Sequence, residues 1–404
     1  MRTADTFDCF DFKTKFYNLM LKKKQSVIIT IGDEIITGYR LDTNSNWLAK
    51  QLTSINIAVS EIISLPDNVS CIVEKLESVK FQKNIDYCFI TGGLGPTNDD
   101  KTNEAVKIFC SDDKIKLIKN LSGECPGLSF FKSNTCFFVF PGVPFEFKKM
   151  FREEVYPNIK GQNTKSETLN FALKESKIYS KIKDLIDLYS PIVKFSFLPS
   201  YKGVALRLIC DKKNAILLEE IKKVLLTRLD LYFFSEKNVS IEEVIFNILS
   251  EKKLTISTAE SCSRGALGVL LSKFPGSSVI YKGGVISYMD SAKTNLLGIS
   301  NQKISKYGAV SREVSLEMVK KITSLTKSDV GIAITGVSGP NIYKFNKPVG
   351  LAYIAIKYID KIYTKKIVFK VNNRELHKEM VSYFSLNMLR LIIYNKWRIR
   401  KFYN

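Results

Sequence analysis

"SVIITIG" at residues 26–32 opens the stretch whose pattern decides the fold: a short apolar run closed by a glycine. It is followed by "DTNSNWLAKQLTSI" (42–55), then "IAVSEIISL" (57–65), "DNVSCIVEKLESV" (67–79) and "DYCFITGG" (86–93). Apolar runs of strand length alternating with amphipathic stretches of about 10–15 residues predict a parallel α/β sheet. In such a sheet ligands collect beyond the carboxyl ends of the strands. That is where "GDEIITG" (32–38), "TGGLGPTNDD" (91–100) and "FPGVPFEF" (140–147) fall.

Further along, the rhythm changes. Residues 161–237 read as strand "TLNFALK", helix "SKIYSKIKDLIDLY", strands "VKFSFLPS" and "GVALRLIC", helix "NAILLEEIKKVLLTRL" and a last strand "LYFF", a small α+β unit of split, KH-like type. It has no Gly-x-x-Gly loop to clamp a nucleic-acid backbone, so it reads as a spacer. A second α/β pattern starts with the helix "SIEEVIFNILSEKK" and the strand "LTISTA", and closes with a helix from Arg374 to about Asn395. The predicted class is therefore α/β, with two α/β domains of mainly parallel sheet joined by a small α+β domain. The boundaries are a tail at 1–25 and domains at 26–160, 161–237 and 238–404.

Composition narrows the function. The 404 residues are 45% hydrophobic, with no apolar run near the roughly 18 residues needed to span a bilayer. Asp5, Asp8 and Asp11 argue against a secretory leader and the scarcity of arginine against a transit peptide, and Met20 is an alternative start. Eight scattered cysteines without a Cys-x-x-Cys pair fit free thiols in a reducing cytoplasm. A single histidine, His377, argues against a His-rich metal site or a Ser-His-Asp triad. The net charge of +21 is spread along the chain and is mostly lysine, which reads as a solvated surface suited to anionic small molecules more than to nucleic acid.

The chemistry-bearing stretch is "TAESCSRGALGVLLSKFPGSSVIYKGGVISYMDSAK" (258–293), rich in serine, with two tyrosines and lysines but no histidine. The base for any serine nucleophile must come from elsewhere. "IGDEIITG", "TNSNWLAKQL", "TGGLGPTNDDKT" and "FPGVPFEFKKMF", followed by "AESCS", "PGSS", "GGVISYMDSAK", "YGAVSREV" and "ITGVSGP", resemble in order the CinA-like proteins, over nearly all of the chain after residue 26. That family joins a molybdopterin-binding-like domain to a nicotinamide-nucleotide amidase domain. The resemblance implies hydrolysis of the carboxamide of nicotinamide mononucleotide to nicotinate mononucleotide and ammonia, without a cofactor, in a protein that self-associates as a dimer.

Carried onto this sequence, the family's catalytic set is Ser278 as nucleophile, Lys293 as base and Tyr288 as proton relay. A lysine desolvated in a pocket loses basicity and can serve as a base. Glu260, Ser261 and Cys262 lie between strand and helix, where an anion such as the 5′-phosphate is favoured, or where Ser261 or Ser263 caps the helix. Cys262 reads as pocket lining. Thr335 and Gly336, ending the strand "DVGIAIT", and Arg374, opening the last helix, complete the substrate-binding set. Arg264-Gly265 stands where the family has Gly-Gly, and "NIYKFNKPVG" (341–350) replaces a glycine-rich loop.

In the N-terminal domain, Gly92, Gly93, Gly95 and Thr97 form an anion cradle ahead of a helix, and Asp33, Glu34, Asp99 and Asp100 are candidate ligands for a divalent metal of the Mg²⁺ or Mn²⁺ kind. The resemblance implies metal-dependent ADP-ribose pyrophosphatase activity. The segment 110–135 is shorter than the family's, which predicts nucleotide binding with little cleavage. Two alternatives stay open: a non-enzymatic nucleotide- or pterin-binding scaffold, and a nucleic-acid-associated competence factor.

Overall fold

The computed structural model describes residues 24–397 apart from 83, 96, 98–99, 112–113, 160–163, 237–238 and 341–346. The chain divides into two compact units, one ending at Lys165 and one beginning at Ser166. Among the described residues, no helix is long and apolar enough to cross a membrane.

The first unit runs β1 (Gln25–Ile31), α1 (Asp33–Ile36), α2 (Thr43–Ser54), β2 (Ala58–Leu65), α3 (Val69–Phe81), β3 (Tyr87–Thr91), α4 (Thr102–Cys110), β4 (Lys116–Ile118), β5 (Gly127–Lys132), β6 (Thr135–Phe140) and α5 (Pro144–Met150). The sheet order is β2-β1-β3-β6-β5-β4. The first four strands pair in parallel, while β5 and β4 add antiparallel. Alternate residues of β1 and β3 serve opposite cores. Val27, Ile29, Cys88 and Ile90 face α3 and α4, whereas Ile28 and Phe89 pack with Leu48, Leu52 and Phe147 of α2 and α5. Burial on both faces is why these strands read as unbroken apolar runs. Asp42 and Asn68 fix where α2 and α3 begin, each accepting a backbone N–H from the first turn. The short 110–135 segment thus supplies β4, β5 and the hairpin into β6.

The second unit holds two sheets. β7 (Thr164–Phe171), α6 (Glu175–Tyr189), β8 (Lys194–Ser200), β9 (Gly203–Asp211), α7 (Ala215–Leu229) and β10 (Phe233–Glu236) build a four-stranded sheet of order β10-β7-β9-β8 with its own core. Then come α8 (Ile241–Glu251), β11 (Ile256–Glu260), α9 (Ala266–Leu271), β12 (Tyr281–Ile286), α10 (Asp290–Leu297), α11 (Asn301–Tyr307), α12 (Arg312–Thr326), β13 (Val330–Gly336), β14 (Leu351–Tyr358), β15 (Lys361–Val368) and α13 (Arg374–Ile393). Their sheet has the order β12-β11-β13-β14-β15, with the first three parallel and the last two antiparallel. One face presents isoleucines of β11, β13 and β14 to α8 and α13. The other presents Ala259, Ala333 and Ala355 to α12, small residues that let that helix lie close. Buried Arg390 of α13 donates to the carbonyls of Phe233 (2.7 Å) and Leu231 (3.1 Å), tying the closing helix to β10.

Candidate active site

Because β11, β12 and β13 are parallel, their carboxyl ends share one edge of the sheet, and the segments leaving them converge. A cavity of about 330 Å³ opens there, lined among others by Ser261, Cys262, Tyr288, Lys293, Gly336 and Arg374. Ser261 follows β11 directly and is held in line by its N–H, which donates to the Ile334 carbonyl of β13 (2.9 Å).

Lys293, in the first turn of α10, is only 1% exposed. Its Nζ lies 2.9 Å from the Ser287 carbonyl, 3.3 Å from the Tyr288 carbonyl and 3.2 Å from Ser261 Oγ. Burial lowers its pKa below the usual lysine value, against smaller opposing effects of Asp290 and Cys262. The geometry has a definite chemical meaning. A neutral amine carries two N–H bonds and one lone pair, and carbonyls can only accept. In that state the two carbonyls take the two N–H bonds and the lone pair faces the Ser261 hydroxyl, whereas the ammonium form donates its third N–H to Ser261 Oγ.

On the other wall, Arg374 Nη2 donates to Tyr288 Oη (2.7 Å), and its Nη1 donates to the Gly339 carbonyl. Tyr288 lines the cavity and is 52% exposed. Cys262 lines the cavity with its thiol pushed up to about 12 by burial, which keeps it protonated. Its sulfur would sit 2.8 Å from a Cβ on Gly336, so that position needs glycine. Arg264 turns away from the cavity. It pairs with Glu375 (2.8 Å) and reaches the Arg374 carbonyl, bracing the start of α13.

The structure does not bring three of the expected residues into the cavity lining. Ser278 is exposed, in a short turn ahead of β12. It therefore sits at the amino end of the strand whose carboxyl end carries Tyr288, about 20 Å away at some 3.3 Å per strand residue. Glu260 is buried and spends its carboxylate on the N–H groups of Leu267 (3.1 Å) and Gly268 (2.8 Å). It thus caps α9 in place of Ser261 or Ser263 and occupies the helix end where a phosphate was expected. Thr335 is buried, with its hydroxyl donating to the Ala309 carbonyl (2.9 Å), and only Gly336 of that pair reaches the cavity. Glu260→Ala is accordingly expected to act on stability, by about 2 kcal/mol from two orphaned backbone donors, read as a lowered unfolding temperature of the full chain.

Sequence reading missed Ser338, which lines the cavity, and the partner that holds it. Its Oγ lies 2.8 Å from Nδ1 of His377, the single histidine of the chain. The turn of α13 that begins at Arg374 brings that ring behind Ser338.

In the first unit, a smaller cavity at the carboxyl ends of β1 and β3 is lined by Thr30, Glu34, Asn44, Thr91 and Gly92 among others. Gly92 has φ +107, and a Cβ there would lie 2.0 Å from the Ile31 carbonyl oxygen, so the close turn after β3 requires glycine. Gly93 follows at φ +60. Gly93, Gly95 and Thr97 do not line the cavity.

Asp33 and Asp67 exchange backbone-to-carboxylate hydrogen bonds. Burial, then the nearby charges of Asp33, Glu34 and Asp100, raise the Asp67 pKa even though the Asp33 N–H opposes them. Asp100 accepts from the N–H and hydroxyl of Thr97; burial pushes its pKa up, and these bonds outweigh it to leave the value low. Asp99 lies outside the described residues. Among the described residues, no three His, Cys, Asp or Glu side chains gather as a metal-holding group, and the Asp100 carboxylate is already engaged by its own loop. Asp33, Glu34 and Asp100 as placed do not fit a divalent ion.

Comparison with known proteins bears on both units. Residues 27–161 match the family model described as a probable molybdopterin binding domain, and residues 238–393 match the CinA C-terminal domain. A CinA-like protein of Flavobacterium psychrophilum is 33% identical, over 88% of this chain and 97% of its own length. The chain belongs to the CinA-like family. A putative competence-damage inducible protein of Halothermothrix orenii is 32% identical over 90% of this chain and 98% of its own. Among solved structures, a CinA superfamily protein from Escherichia coli matches 38% of this chain and 92% of its own, at 30% identity and a TM-score of 0.36. For this CinA-like chain, the molybdopterin-binding-like match covers the first sheet and the CinA match covers the cavity described above.

Proposed function

We propose that the C-terminal region of this CinA-like protein hydrolyses the carboxamide of nicotinamide mononucleotide, giving nicotinate mononucleotide and ammonia, with Ser261 as nucleophile and Lys293 as base. The observation that carries this reading is the buried Lys293 amine, whose Nζ lies 3.2 Å from Ser261 Oγ and is held by the Ser287 and Tyr288 carbonyls, so that in its neutral form the lone pair faces Ser261. Lys293 takes the Ser261 proton as Oγ adds to the amide carbon. The amine then returns that proton to the departing nitrogen, the C–N bond breaks and ammonia leaves an acyl-serine ester. Water, deprotonated by the same lysine, adds to the ester, and the C–Oγ bond breaks to release the acid and restore the serine. Tyr288, fixed by Arg374, is placed to donate a hydrogen bond to a substrate oxygen. Ser278 has no part in this scheme.

The test is incubation of the full chain with nicotinamide mononucleotide, following ammonia and nicotinate mononucleotide together. Equal yields of both are expected, unchanged by EDTA, because serine and lysine carry every proton and bond change. No product, or a loss with EDTA that added metal restores, would sink the scheme. For the N-terminal domain, the engagement of Asp100 by its own loop favours binding of a nucleotide over metal-assisted cleavage of one.

A further inference from the structure

Ser338 lines the same cavity with buried His377 behind it, and the scheme above does not use this pair. His377 is fully buried, and its Nε2 lies 3.2 Å from the Gly350 carbonyl while Nδ1 lies 2.8 Å from Ser338 Oγ. A carbonyl only accepts, so Nε2 must carry the ring proton. Burial lowers the pKa of His377, with Arg264 adding to that effect and the Gly350 bond opposing it, so the ring is neutral near pH 7. In the neutral ring with Nε2 protonated, Nδ1 is an acceptor, and the Ser338 hydroxyl proton must point at it. Phe369 meets the ring edge-to-face at 5.7 Å and helps hold its orientation. Next to Ser338, the Gly339 carbonyl is held by Arg374, which fixes the loop.

With its one proton committed to His377, Ser338 offers the cavity only lone pairs. We propose that Ser338, oriented by His377, is a specificity-determining acceptor that reads the N–H of a carboxamide and disfavours a carboxylate in its place. The proposal rests on the amide-hydrolysis reading of the site. It gives that reading a direction: substrate amide has hydrogens to donate here, whereas product carboxylate would bring lone pairs against lone pairs and is pushed out. Buried polar groups that lose their partner are what let a pocket discriminate strongly between near-isosteres. His377 acts only through Ser338 and is a positioning residue.

The experiment measures dissociation constants of nicotinamide mononucleotide and nicotinate mononucleotide on the full chain carrying Ser261→Ala, so that no turnover intervenes. The parent is expected to bind the amide more tightly than the acid. Adding Ser338→Ala is expected to shrink that preference about tenfold, weakening the amide and tightening the acid. His377→Leu should do the same, whereas His377→Asn, whose side-chain oxygen can accept in place of Nδ1, should retain most of the preference. A purely structural role would weaken both nucleotides together and leave their ratio alone. An unchanged ratio in Ser338→Ala with both nucleotides bound overturns this proposal and leaves amide hydrolysis standing. Failure of the parent to bind either nucleotide overturns the substrate reading and this inference with it.

Discussion

Ser261→Ala is expected to remove amide hydrolysis, while Ser278→Ala leaves it within a few fold of wild type. Loss of a nucleophile that makes the covalent bond costs on the order of 10⁴-fold or more in kcat, because the remaining groups cannot substitute for the bond itself. At about 1.4 kcal/mol per tenfold, that is more than about 5 kcal/mol of transition-state stabilisation. The alanine is a small change at a position whose backbone is pinned to β13, so folding and nucleotide binding should persist. Ser278, exposed and at the opposite end of β12, is not among the residues that line the cavity. Single-turnover rates of the two variants on nicotinamide mononucleotide decide the matter. An inactive Ser278→Ala beside an active Ser261→Ala would reverse the assignment.

The contrast between the two serines also shows how far the sequence could be read. The alternation of β1, α2, β2, α3 and β3 was legible because strands buried on both faces must be apolar throughout, while their helices need only one apolar stripe. Strand polarity then holds enough information to rank the serines. In a parallel sheet, residues leaving β11, β12 and β13 share an edge, so Ser261, Lys293 and Gly336 belong together and a residue entering β12 does not. Reading Ser278 as the nucleophile followed the motif, whereas strand polarity sets Ser278 apart from that edge. Glu260 and Thr335 were misplaced for another reason. Their positions at strand ends are correct, but a side chain in a strand points to one face or the other, and local pattern does not say which buried donor or carbonyl will claim it. His377 was beyond reach, since 39 residues separate it from Ser338 and only the packing of α13 against β14 brings the ring behind that serine.

Lys293→Met should be nearly as damaging as loss of Ser261, on the order of 10³-fold or more, because a general base is worth about 10² to 10⁴ and here it serves both half-reactions. The pH dependence separates its role from packing. The base must be neutral to accept the Ser261 proton, and burial lowers its pKa from the ordinary lysine value of 10.5. In the wild type, kcat/KM should therefore rise with pH through the lowered pKa and level off before 10.5, falling away as the pH drops and the amine is protonated. Stability follows the same shift with a sign of its own. Between the lowered pKa of the folded state and 10.5, the unfolded chain binds the extra proton, so raising the pH across that window stabilises the fold. Below the window, the cost of burying the ammonium is present in full. Lys293→Met has no proton to bind, so both the rise in kcat/KM and this share of the pH-dependent stability should vanish, even though the Ser287 and Tyr288 carbonyls lose a donor. Rate profiles on nicotinamide mononucleotide and denaturation midpoints across the alkaline range test the two effects independently. An ascending limb that persists in the methionine variant, or one centred at 10.5 or above in the wild type, would mean that another group takes the proton.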